Sequence, residues 1–106
     1  MSKNLDEFYT TADKFVNLAN TLSKEDKSGA VGSAMRFAAS RYSAFEMSLT
    51  GRDLAKEKEA IKVELLTDYS KMLDQNLDAY IHHIAKKNKE EEKEEEKIET
   101  KLKIFS

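Results

Sequence analysis

Apolar residues recur every third or fourth position along almost the whole chain, and strand-like alternation is nearly absent, so the pattern predicts an all-α protein. The first periodic run places Leu5, Phe8, Ala12, Phe15, Ala19 and Leu22 on one side, with Val16 and Leu18 flanking and Asp6, Asp13, Asn17 and Asn20 opposite. A helix over 4–22 follows, opened by Asn4 with Glu7 three residues on, the spacing of a capping box. The polar stretch SKEDKSG ends it.

The second run, from about Ser28 to Thr50, differs in kind. From Gly29 to Phe45 it has no lysine and no acid. Val31, Ala34, Met35, Ala38, Tyr42, Phe45 and Leu49 form one seam. Ser33, Phe37, Ser40, Ala44 and Met47 make a second stripe, where an ordinary surface helix would carry Lys and Glu. A helix with two such stripes is expected to be covered on two sides, by its neighbours or by a neighbour and a second subunit. Gly51 suits the left-handed residue that follows a helix C-terminus.

A third helix is expected from Thr50 or Asp53, which stand in Thr-x-x-Asp spacing. Its early turns are charged, and apolar density rises from Leu65 through Leu66, Tyr69, Met72, Leu73, Leu77, Tyr80 and Ile81 to Ile84. Unbroken to residue 85, it would be on the order of 50 Å long against roughly 25 to 35 Å for the others. Its end would then overhang and pair with a second subunit, unless the chain turns back near Asp74–Asn76 as a fourth helix. Asn76 lies on the apolar side, either satisfied at a bend or fixing register in a helix pair. The expected architecture is an antiparallel three-helix bundle, or four, over residues 1–85, with a charged extension over 86–106.

That extension is low in complexity. It stacks Glu90 on Glu94, Glu91 on Glu95 and Glu92 on Glu96, which repel, and leaves attraction to pairs such as Glu90 with Lys93 and Glu94 with Lys97. A marginal, fraying helix is expected there. Ile98, Leu102 and Phe105 resume helical spacing beside Lys97, Lys101 and Lys103, an amphipathic end able to dock on a partner or a membrane surface.

Size and charge narrow the classes. At 106 residues, a single domain is near the limit at which one apolar core offsets chain entropy, so help from self-association is expected. Eighteen Lys and Arg against twenty Asp and Glu give no basic module, since residues 1–85 hold eleven bases and thirteen acids and 86–106 seven of each. Nucleic-acid binding, which needs clustered cations, is therefore a weak expectation. The start MSKNLDEFYTTADKF carries no apolar run of signal-peptide length, which predicts a cytoplasmic protein.

Three motifs taken together, NLDEF with AD and LAN (Asn4–Phe8, Ala12–Asp13, Leu18–Asn20), AASRYSAF (Ala38–Phe45) and YSKMLDQNLDAYI (Tyr69–Ile81), resemble a small proteobacterial family known only as a domain of unknown function. The resemblance covers about residues 4–84 and leaves out the charged tail. This chain has Ser40 and Ser43 where the family's second motif usually has Ala and Asn, so if that Asn makes a structural hydrogen bond in the family, Ser43 replaces it here with a shorter group. The resemblance implies a compact helical bacterial protein and no reaction.

Candidate chemistry is sparse. The chain has no Cys, and two His are too few for a His-rich centre. Asp78 and His82, four apart, share a helix face but supply only two ligands, and a surface carboxylate–imidazole pair is the simpler expectation. There is no phosphate loop, nucleophile elbow or HExxH, so neither enzyme activity nor a cofactor is expected. Arg36 and Arg41, on the most apolar helix, are expected to pair with acids such as Asp13, Asp68 or Asp74, or to anchor a partner. The function these features imply is a small interaction or adaptor protein, most simply a homodimer. Its contacts would use Arg36, Phe37, Arg41, Ala44 and Met47, the overhang Leu77, Tyr80, Ile81 and Ile84, and the tail residues Ile98, Leu102 and Phe105.

Overall fold

The computed structural model describes the backbone of residues 2–105 and the side chains of residues 4–102. The protein is all-α, with helices α1 (Ser2–Glu25), α2 (Ala30–Ser48) and α3 (Leu54–Phe105) and no strand among the described residues. Two compact units divide the chain, residues 1–54 and 55–106.

In the first unit, α1 is longer at both ends than its apolar pattern. Asn4 sits inside the first turn rather than capping it, because nothing in Ser2 or Lys3 obliges the backbone to leave the helix. At the other end Ser23, Lys24 and Glu25 stay helical, and the Asp26 N–H still donates to the Leu22 carbonyl (3.2 Å). The connection is then built from side chains. The Ser28 N–H donates to Asp26 Oδ1 (2.9 Å), and the Ala30 N–H to Ser28 Oγ (3.2 Å). Gly29, at φ 88°, occupies the left-handed region between them. With Ser28 used in this turn, α2 starts at Ala30, two residues later than its composition predicts.

α2 also stops short of Thr50. The N–H groups of Leu49 and Thr50 donate to the carbonyls of Glu46 (3.1 Å) and Met47 (3.2 Å), tightening the last turn to three-residue spacing. The Thr50 hydroxyl adds a bond to the Met47 carbonyl (2.7 Å) and accepts the Arg52 N–H (3.3 Å). Gly51 follows at φ 79°, the left-handed stop expected of it. α1 and α2 touch, yet no described residue of either is buried. Ala12, Ala19 and Ser23 of α1 and Val31, Ser43 and Met47 of α2 are half-buried.

In the second unit, α3 is one continuous helix of 52 residues, about 78 Å long at 1.5 Å per residue. It does not turn back at Asp74–Asn76, so there is no fourth helix. Asn76 is satisfied within α3, its Nδ2 donating to the Met72 carbonyl (3.0 Å). The charged stretch is helical without a break, despite its stacked glutamates. The Thr100 hydroxyl there returns to the Glu96 carbonyl (2.9 Å). Ile61, 7 % exposed, is the only buried hydrophobic residue among those described, and Leu65, one turn on, is half-buried.

Candidate interaction surface

α2 presents both of its stripes. On the first, Met35, Tyr42, Phe45 and Leu49 are exposed, with the rings of Tyr42 and Phe45 5.9 Å apart and tilted by 47°. On the second, Phe37 is 62 % exposed and Ala44 is open, while Met47 at the edge is half-buried.

Two serine hydroxyls along α2 turn inward on their own backbone. Ser40 donates to the Phe37 carbonyl (2.7 Å) and Ser48 to that of Phe45 (2.6 Å). A hydroxyl satisfied in this way presents mostly carbon to a neighbour, which keeps the stripe effectively apolar.

Both arginines have partners within α2 itself. Arg36 Nη2 donates to Ser33 Oγ (3.3 Å). The Arg41 guanidinium carbon lies 5.0 Å from the centroid of the Phe37 ring, a cation–π contact one turn long. Arg41 and Phe37 therefore form a single flat, amphipathic platform on the exposed side of the helix.

On α3 the apolar residues separate into two seams roughly 120° apart. One runs through Leu54, Ile61, Leu65 and Met72 and holds the buried residue. The other runs through Val63, Leu66, Ser70, Leu73, Leu77, Tyr80 and Ile84 and is open, from 43 % exposed at Leu73 to 66 % at Tyr80. Ile81 adjoins it, equally open. The first four members of this seam were not among the residues expected to make contacts. Their signal is a strict alternation of three and four in residue number, partly hidden by the charged turns around them.

Farther along, Ile98 and Leu102 are exposed one turn apart, with Lys97 and Lys101 beside them. The Phe105 side chain lies outside the described residues. Asp78, His82 and His83 are exposed, and among the described residues no three potential metal ligands gather. No helix among the described residues is long and apolar enough to cross a membrane.

What these features define is a small all-α protein whose amphipathic helices leave most of their apolar residues open. Residues 8–81, more than half of the chain, match the model of a family described as a protein of unknown function, DUF3144, and the chain belongs to that family. No curated protein and no solved structure matches it. The match spans α1 from Phe8 onward, α2 and the first half of α3, including the Tyr69–Ile81 motif, and excludes the charged tail.

Proposed function

We propose that this protein is a small cytoplasmic bacterial interaction protein, a binder of helices rather than a catalyst, which associates with itself and with a partner helix. The observation that carries this is the exposure of Phe37, Phe45, Leu49, Leu77 and Tyr80 on regular helices, aligned in stripes rather than scattered. Isolated exposed apolar residues are ordinary, but contiguous apolar stripes mark surfaces that another molecule covers. The Arg41–Phe37 platform suits the centre of such a contact, because Arg and aromatic side chains dominate interface energetics.

Light scattering on the full chain at micromolar concentration tests this reading. A mass of twice the 12.1 kDa chain is expected. A single-chain mass across the micromolar range refutes the self-association.

A second reading, contact with a membrane or granule surface through the tail, is favoured by the placement of Ile98 and Leu102 beside Lys97 and Lys101 on one helix. Co-sedimentation with anionic vesicles that Ile98→Asp abolishes would support it. A full chain that stays in the supernatant would eliminate it.

A further inference from the structure

Resting on that self-association, we propose that α3 pairs with α3 of a second copy of this chain, antiparallel, along the open seam from Val63 to Ile84.

Three observations carry the proposal. The first is spacing. From Val63 the steps are three, four, three, four, three and four, so the seam keeps a seven-residue repeat for three full heptads with Ser70 its only polar member. A strict seven-residue repeat is what two helices need to stay in contact while they wind about each other, whereas a helix lying on its own domain needs only a 3.6-residue stripe. The second is that every apolar member of the seam is exposed in the single chain.

The third is charge, and it sets the direction. Continued in the same rhythm, the seam reaches Lys87, Glu91 and Glu94. A parallel, in-register pair would seat each of these on its own copy, so three successive layers would oppose like charges. Reversing one helix takes all three off their own copies and sets Glu94 against Lys56, leaving one like-charge layer, Glu91 against Glu59. With Leu73 facing Leu77 of the second copy, Leu66 faces Ile84, and Ser70, the smallest member, faces Tyr80, the largest. Val63 meets Lys87, whose aliphatic stem can lie along it. On the flank Lys62, 3.4 Å from Glu59 in its own chain, comes beside Glu90 of opposite sign. A second unfavourable pair stands beside the Glu91–Glu59 layer: Asp74 approaches its own copy near the axis, at an edge open to water where repulsion is weak. The charged tails then leave the dimer at opposite ends.

The chain contains no cysteine, so Lys89→Cys, on the side of α3 away from the seam, carries one spin label per full-length chain. The antiparallel pairing places the two labels about 42 Å apart, from fourteen residues on each side of an axis near Gln75 at 1.5 Å each. A dimer whose labels lie within about 25 Å, two packed helix widths, overturns the antiparallel arrangement. Leu77→Asp is expected to weaken dimerisation at least tenfold while circular dichroism keeps its helical signal, and His82→Asp on the outer side to leave it within twofold. A dimer indifferent to Leu77→Asp overturns the seam but leaves self-association through α2 standing. A chain that never dimerises overturns both.

Discussion

At the scale of single residues, the local structure is set by a few groups that interrupt an otherwise helical chain. Gly29 and Gly51 have positive φ, and a Cβ at either would meet nothing within 4 Å, so only the backbone conformation resists substitution. Gly51→Ala should destabilise the fold by about 1–2 kcal/mol. Gly32 lies within α2, and its added Cβ would meet only Arg36 Nη1 at an ordinary 3.6 Å. Gly32→Ala should stabilise by about 0.5–1 kcal/mol through helix propensity. Urea unfolding of the two variants side by side gives opposite shifts in midpoint if these roles are right. The left-handed stop at Gly51 was legible in the sequence because few residues other than Gly take that conformation. The role of Asp26 was not, since an acid in a polar connection has many possible partners.

Asp26 accepts hydrogen bonds from the Ser28 hydroxyl and N–H, which hold its carboxyl below the usual 3.8. Because the folded value is the lower one, the turn's contribution is present above the ordinary carboxylate range and is lost as pH falls through the folded value. An NMR titration should find the Asp26 midpoint below 3.8 and, in Ser28→Ala, moved back toward it. An unshifted wild-type midpoint would show that the turn does not form in solution.

At the scale of helices, the existence of all three was readable and their ends less so. Periodic apolar residues locate the part of a helix that has a face to bury, while its ends depend on where hydrogen bonding stops. That is why α1 runs past Leu22 to Glu25 and α2 ends at Ser48. The length of α3 was undecided because a lack of Gly and Pro permits a long helix without requiring one. Asn76 resembled a bend in the sequence, yet its bond to the Met72 carbonyl lies along the helix and leaves the axis unbroken.

Two substitutions probe this scale. Arg41 stacks on Phe37 in the open, so Arg41→Ala should cost no more than about 1 kcal/mol of stability in urea. A larger loss would mean that the guanidinium has a buried partner. On α3, Ile61→Ala should cost about 2–4 kcal/mol as a truncation of the one buried hydrophobic residue described. Leu73→Ala, at dilutions where the chain is monomeric, should cost less than half as much. Equal losses would place Leu73 in a core of the single chain.

At the scale of the whole molecule, the sequence announced more apolar surface than the chain covers. The helical class and the two-striped character of α2 were both visible in the residue pattern. What covers the stripes was not, because periodicity says which side of a helix avoids water and nothing about whose atoms replace it. The rise in apolar density along α3 likewise did not separate its two seams. Leu65 and Leu66 are adjacent in sequence, yet one lies half-buried beside Ile61 and the other on the open seam. The single-chain structure supports association as the function because the exposed residues are ordered in rows along regular helices.

Amide hydrogen exchange on the full chain, at a dilute and at a tenfold higher concentration, tests this most directly, since association protects the covered helices while a folded monomer is indifferent to concentration. Slower exchange in α2 or across residues 63–84 at the higher concentration, with the Glu25–Ala30 connection unchanged, is the predicted result. Identical rates throughout α2 and α3 at both concentrations would contradict the account.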